Sequence, residues 1–259
     1  MIPKSHPRYD SLMTRELIVK GVRNGITGTQ GLIAQGRGEA FDYLIGEKTT
    51  ESAFRAEKVA AAKLLLARKP VISVNGNVAA LVPYELIRLS ELVNAPLEVN
   101  LFHRTEERVN KIIAHLRSLG AKNILRRSDA LIPGLEHERA KVDSHGIFAA
   151  DVVLVPLEDG DRCKALLEMG KTVIAIDLNP LSRTAQCATV TIVDNIIRAI
   201  PNISKFAEEL KELEQEQLLD TIREYDNKQT LFLAIEEINK NLNSFAARLC
   251  CVKDLEYRI

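Results

Sequence analysis

Tryptophan is absent from the 259 residues, and aromatic side chains make up only 5% of them. So sparse a set offers no run of stacking platforms for single-stranded nucleic acid. Neither charge sign is in excess. Thirty-five basic residues balance 35 acidic ones, for a formal net charge of zero, whereas general nucleic-acid binders carry a basic surplus. No apolar run approaches the ~20 residues of a membrane span. The first residues, Met1-Ile-Pro-Lys-Ser-His-Pro-Arg8, contain no apolar signal core. The four cysteines, Cys163, Cys187, Cys250 and Cys251, form no Cys-x-x-Cys pair, so a zinc ribbon or thioredoxin-like site has no support. Cys250 and Cys251 are adjacent and poorly placed to bridge each other. These absences predict a soluble protein of a reducing cytoplasm, with neither nucleic acid nor membrane as partner.

Standard nucleotide fingerprints are missing too. Gly46-Glu-Lys-Thr49 has its lysine one residue out of place for a phosphate-binding loop, and Gly36-Arg-Gly-Glu-Ala-Phe41 lacks a third glycine. Neither follows a strand-like run. No Ser-His-Asp or Cys-His arrangement is apparent, so the chain offers no evident covalent nucleophile.

What the chain does have is alternation. Short apolar runs at Val71–Val74, Leu97–Leu101, Asn123–Leu125, Asp151–Leu157, Thr172–Ile176 and Thr189–Val193 read as strands. Between them, Pro83–Val93, Thr105–Leu119 and Asp161–Met169 read as helices, the last two ended by Gly120 and Gly170. Thr49–Lys69 is a further helix before Pro70. Thr14 reads as the cap of a short helix through Val22, stopped near Gly25. This order predicts an α/β protein built on a mostly parallel sheet with helices on its faces. Ser128–Gly146 reads as one long loop, of a length that is often functional. The character changes after Pro201. Phe206, Leu210 and Leu213 share one helical face, and Leu231, Ile235, Ile238 and Leu242 another, with Tyr225-Asp-Asn-Lys228 between them. Two units are therefore expected: a core over 1–201 with a Gly/Arg-rich N-terminal segment, and a helical hairpin over 202–259. The hairpin reads equally as a cover for the core and as a subunit interface.

Polar clusters follow the strands on what should be one sheet edge, where open α/β sheets bind ligands. Asp177-Leu-Asn-Pro-Leu-Ser-Arg-Thr184 combines hydrogen-bond acceptors with a permanent cation suited to phosphate. Asn75-Gly76-Asn77 stands where a strand becomes a helix, with backbone N–H groups that suit an anion. Asn100, His103, Arg104 and Arg108 follow the next strand. Arg104 and Arg108 are four apart and expected on one helix side, with Arg108 the more readily explained as a surface ion pair. Glu158, Asp159 and Asp161 can serve magnesium or an amine, or can cap a helix. Asp194 and Asn195 end the last strand. Gly36 and Gly38 flank Arg37, and the segment reads either as a phosphate-approaching glycine turn or as a turn with a solvated arginine.

Taken together, these segments closely resemble the archaeal phosphopantothenate synthetase family, the 4-phosphopantoate–β-alanine ligases. The resemblance runs through Ile2-Pro-Lys-Ser-His-Pro-Arg-Tyr9, Gly36–Leu44, Pro70–Ala80, Glu98–Phe102, Val152–Arg162 and Asp177–Ala185, in the expected order. It implies a Rossmann-like core, a homodimer, and a step of coenzyme A biosynthesis. In that step ATP and 4-phosphopantoate condense with β-alanine to give 4′-phosphopantothenate, AMP and pyrophosphate. Carried over by motif, the ATP positions are Arg15, Arg37, Asp177, Leu178, Asn179, Arg183, Thr184, Asn195 and Ile196. Mg²⁺ is expected to ride mainly on the ATP phosphates, without a dedicated protein ligand. Position and chemistry then suggest Asn75, Gly76, Asn77, Asn100 and Arg104 for the substrate. They suggest Arg104, Glu158, Asp159 and Asp161 for catalysis, the carboxylates as acceptors of the amine proton. One departure is Cys163, where the family pattern leads one to expect Thr. Two rivals remain at this level: a nucleotide sensor that performs no chemistry, and a nicotinamide-dependent reductase, weakened by the missing glycine fingerprint.

Overall fold

The computed structural model describes the backbone over residues 2–256 and side chains as far as Cys250. Cys251 and the end of the segment expected over 202–259 therefore lie outside the described side chains. Six strands form one parallel sheet: β1 (Pro70–Val74), β2 (Leu97–Val99), β3 (Ile124–Leu125), β6 (Val152–Pro156), β7 (Thr172–Ile176) and β8 (Val190–Ile192), in the order β3-β2-β1-β6-β7-β8. The chain builds outward from β1 in one direction, then returns to build outward in the other. A topological switch point therefore lies between β1 and β6, where a crevice opens at the carboxyl ends of the strands.

Alternation along each strand divides two apolar layers. Ile72, Val74, Leu154, Ile174, Val190 and Ile192 face the larger one. It is completed by α3 (Glu51–Leu66), α4 (Gly76–Leu81), α5 (Pro83–Leu92), α6 (Glu106–Ser118) and α9 (Ile196–Leu210). Val71, Val153, Val155, Val173 and Ala175 face the smaller layer with α7 (Gly160–Glu168). Both faces are thus covered, as a parallel sheet requires. Helix starts follow capping chemistry: Thr50, Asn75, Thr105, Asp159, Ser182 and Asn195 each accept a backbone N–H from the first turn of the helix they begin.

Several expectations change in detail. Ser128–Gly146 is more than a loop. It holds a small antiparallel pair, β4 (Ala130–Leu131) and β5 (Lys141–Val142), joined through the 3₁₀ turn Glu138–Ala140. Ile132, Val142 and Ile147 close the smaller core layer, so burial of these side chains orders the segment. Thr14 caps nothing. It lies within α1 (Tyr9–Arg23) and donates its hydroxyl back to Asp10 O at 2.7 Å. Gly36 and Gly38 are not in a turn but inside α2 (Thr29–Ile45), which ends at the left-handed Gly46. The boundary expected at 201/202 falls inside α9. Pro201 removes the N–H that would have met the Ile197 carbonyl, yet Ile200, Ile203 and Ala207 bury the helix on either side of it.

Beyond α9 come α10 (Gln215–Arg223) and the long α11 (Asn227–Glu256). The turn between them is pinned to the sheet. Thr191 N donates to Asn227 Oδ1 at 2.7 Å, and Asn227 Nδ2 donates to Ala185 O at 2.9 Å. This occupies the free side of the edge strand β8. No helix among the described residues is long and apolar enough to cross a membrane.

Candidate active site

A cleft of about 400 Å³ opens along the carboxyl ends of five strands. One wall is a single face of α2, with Gly31, Ala34, Gln35, Gly38 and Phe41 recurring at helical spacing. Of the glycines of this helix, Gly31 serves close approach and Gly36 faces open space. A Cβ on Gly31 would come within 2.3 Å of Asn77 Oδ1, and one on Gly38 would touch Leu178 Cδ1 at 3.6 Å. Arg37 lines the cleft from this helix.

The floor is built by strand ends. Asn75 leaves β1 and donates to Pro156 O at 3.0 Å and Leu157 O at 3.3 Å, tying the switch point shut beneath the cleft. Leu157 itself has φ +55°, a costly conformation for a large side chain. It turns the chain so that Glu158 and Asp159 meet the cleft wall. Glu158 is buried between the Arg139 and Arg162 guanidiniums, so its charge is neutralised within the protein. Asp159 lines the cleft while its Oδ1 accepts the Arg162 N–H at 3.0 Å.

Beyond β7, Asp177 accepts from Asn179 N at 2.9 Å and from the Ser182 hydroxyl. Burial pushes its carboxyl above the usual range, against the opposing pull of those hydrogen bonds and of Arg37. Beyond β8, Asn195 caps α9 and donates to Asp42 Oδ2 at 2.8 Å, while Arg198 bridges Asp42 and Asp194. This ion-pair network fixes α2 against the β8 end. Phe41, Leu178 and Ile196 make that end of the cleft the apolar one. The opposite end is basic: His103, Arg108 and Arg139 line it.

The cleft therefore gathers Arg37, Asn75, Gly76, Asn77, Glu158, Asp159, Asp177, Leu178, Asn179, Asn195 and Ile196 from the residues singled out in the sequence. Other expected positions lie off it. Arg15 pairs with Glu39 at 2.6 Å and is half exposed. Arg183 sits at the rim, largely exposed and paired with Asp161. Thr184 is buried beneath, its hydroxyl on Glu158 O at 3.0 Å. Asn100 is buried and holds the β5 approach through Arg139 O and Lys141 O. Arg104 does not reach the cleft. Its side chain is 5% exposed and donates to Val99 O and Arg126 O. Its expected partnership with Arg108 fails because α6 begins only at Glu106, so Arg104 precedes the helix and its side chain points elsewhere. Arg108 lines the cleft instead, anchored to His103 O at 2.7 Å and Ile26 O at 3.2 Å. Arg139 was not foreseen; only its place in a long polar loop hinted at it. Cys163 is fully buried with its thiol toward Thr184 O, so the Thr-to-Cys departure does not touch the cleft.

Residues 52–241 match the family model described as phosphopantothenate/pantothenate synthetase. The chain belongs to the phosphopantothenate/pantothenate synthetase family. Among curated relatives, a 4-phosphopantoate–β-alanine ligase of Methanosarcina mazei is 58% identical over 95% of this chain and 97% of its own length. Proteins of the same name from Thermococcus kodakarensis and Methanospirillum hungatei are 57% and 52% identical. They cover 95% and 93% of this chain, and 95% and 98% of their own lengths. The matched span of the family model begins in α3 and ends in α11, so it includes every strand of the sheet.

Proposed function

We propose that the protein is an ATP-dependent, AMP-forming ligase that joins 4-phosphopantoate to β-alanine, giving 4′-phosphopantothenate for coenzyme A synthesis in the cytoplasm. The observation that carries this reading is a cleft with one apolar, acceptor-bearing end and one basic end. It lies in a chain more than half identical to ligases of that name. The adenosine sits at the β7–β8 end, between Phe41 and Gly38 of α2 and Leu178 and Ile196, with Asp177 at the ribose. The phosphates run toward the switch point under Arg37, with Arg183 at the rim and Thr184 buried beneath, holding Glu158 O. Arg15 reaches the nucleotide only if α1 shifts or a neighbouring copy presents it.

The second phosphate, that of 4-phosphopantoate, requires its own cations. Arg108, with Asn77 and His103, supplies them at the β2 end and takes the place expected of Arg104. Between the two anion sites the phosphopantoate carboxylate meets the α-phosphorus of ATP. Its attack expels pyrophosphate and leaves an acyl adenylate; the amine of β-alanine then displaces AMP. Repulsion between two anionic reactants is the main barrier, and positioned arginines lower it. Among the described residues no three His, Cys, Asp or Glu side chains are grouped to hold a metal. Mg²⁺ bound through the triphosphate would supply further charge neutralisation.

The enzyme acts as a homodimer through α11. Leu231 and Ala234 bury this helix on its own core, but Leu242, Phe245 and Leu249 stand 49%, 56% and 55% exposed. With half-buried Ile235, and with Ile238 at the margin where it also packs on the core, they recur at alternating steps of three and four, the seam spacing of paired helices. A second copy of the same helix supplies the matching face.

The acyl adenylate is tested by exchange of labelled pyrophosphate into ATP. Exchange that requires 4-phosphopantoate but not β-alanine is expected. Exchange that needs β-alanine, or none at all, would contradict the adenylate route.

A further inference from the structure

Nine buried side-chain polar atoms among the described residues lack a hydrogen-bond partner, and five of them gather around Arg139 and Asp159, which line the cleft. They are Asn100 Oδ1, His137 Nδ1, Arg139 Nε, Asp159 Oδ2 and Arg162 Nε. Buried polar groups are normally satisfied, so such clustering marks a place where a ligand's polar groups belong. The corner offers donors and acceptors side by side. Arg139 Nη1 stands 3.4 Å from Asp159 Oδ2, and both residues line the cleft. The His137 ring stacks on Phe102 at 5.0 Å, with Nε2 4.0 Å from Asp159 Oδ1. The helix-capping bond to Arg162 N fixes the orientation of the carboxylate.

Charge decides the kind of ligand. Arg139 and Arg162 face Glu158 and Asp159, two cations against two anions. Glu98 acts on Arg162 too, but burial pushes its carboxyl up to about 7, so it adds only part of a charge near neutrality. A phosphate or a simple amine would leave a buried charge uncompensated, which is expensive. A zwitterion keeps the balance while pairing with both wall groups.

We propose that this corner is the seat of the amino-acid co-substrate: Asp159 takes the ammonium group of β-alanine and Arg139 its carboxylate, with His137 backing Asp159. The assignment rests on the ligase reading above and goes beyond it by naming the residues that select an amino acid over a simple amine. It also places the acceptor amine beside the switch point, where the acyl adenylate forms.

Asp159→Asn keeps the helix-capping oxygen and removes the charge; Arg139→Gln removes the cation. Each is expected to raise the KM for β-alanine at least about tenfold, the loss typical of one charge-assisted hydrogen bond. The pyrophosphate exchange supported by ATP and 4-phosphopantoate should change far less. Arg139→Gln should also erode the preference for β-alanine over propylamine, which lacks the carboxylate, by a similar factor. A KM for β-alanine within about threefold of wild type, or an exchange rate that falls in step with β-alanine use, would overturn the assignment. Should Arg139→Gln fail to fold, Asp159→Asn decides alone. A wild-type protein that forms no condensed product from ATP, 4-phosphopantoate and β-alanine would instead overturn the ligase reading, and the seat with it.

Discussion

Glu57 lies on the buried face of α3, near Asp194 and Asn202. Burial first, then the Asp194 charge, pushes its carboxyl from 4.5 up to about 9. The folded protein therefore keeps this proton in a range where the unfolded chain has released it. The native state binds more protons, so this group makes stability fall as pH rises between about 4.5 and 9, by at most ~1.4 kcal/mol per pH unit. Glu57→Gln removes the dependence. Its stability relative to wild type should grow from pH 5 to pH 8 in urea melts, and a constant difference would show that Glu57 does not carry the proton. At this scale much of the cleft lining was legible in the sequence. Asn75, Asp177, Asn179 and Asn195 each follow a recognisable apolar strand, and a parallel sheet brings such ends to one edge. Arg139 was not legible, because its path to the cleft depends on how a long polar segment folds back. Arg108, not Arg104, lines the cleft because the start of a helix, set by the Thr105 cap, decides which of two nearby arginines turns toward it.

At the scale of elements, the contact between the α1–α2 connection and the start of α4 shapes the cleft. A Cβ on Gly76 would stand 2.4 Å from Ile26 O and 3.1 Å from Thr27 Cα, both backbone atoms. Thr27 seals the contact with a hydroxyl bond to Gly76 O at 3.0 Å. Gly76→Ala must therefore push the connection outward, at a cost of about 1–3 kcal/mol, and should lower ligase activity because the same shift moves α2 and Arg37. Denaturant midpoints check the first part; wild-type stability in the variant would show that the connection is not packed there. Strands and capped helices were readable because period and cap coincide. The helix α2 was not, since Gly36 and Gly38 are poor helix formers and read as a turn. Tertiary packing overrides that preference: the close approach is at Gly31, where a Cβ would stand 2.3 Å from Asn77 Oδ1, while Gly38 only touches Leu178 and Gly36 faces open space.

For the whole molecule, the parallel sheet and its two-sided covering follow from the order of apolar runs, while the division near residue 201 did not anticipate a helix crossing it. The hairpin's two expected roles are distributed along α11. Its first turns belong to the core, and the exposed stripe further on is the proposed seam. Changing Leu242 and Phe245 together to Asp should halve the sedimenting mass from twice the 28.8 kDa of the chain without altering the melt, since both side chains are exposed. Leu231→Asp, by contrast, should destabilise the fold by several kcal/mol, because it buries a charge among Ile45, Leu178 and Val193. A wild-type protein that sediments as a single chain at micromolar concentration would refute the dimer. Unfolding by the double change would place that face on the protein's own core.

The ligase assignment itself is tested most directly by incubating the purified protein with ATP, Mg²⁺, 4-phosphopantoate and β-alanine, and following AMP together with the condensed product. The expected result is AMP and 4′-phosphopantothenate in equal amounts, with product lost when any one substrate is omitted. ATP binding without AMP release would mark a nucleotide sensor, and ADP in place of AMP would contradict attack at the α-phosphorus.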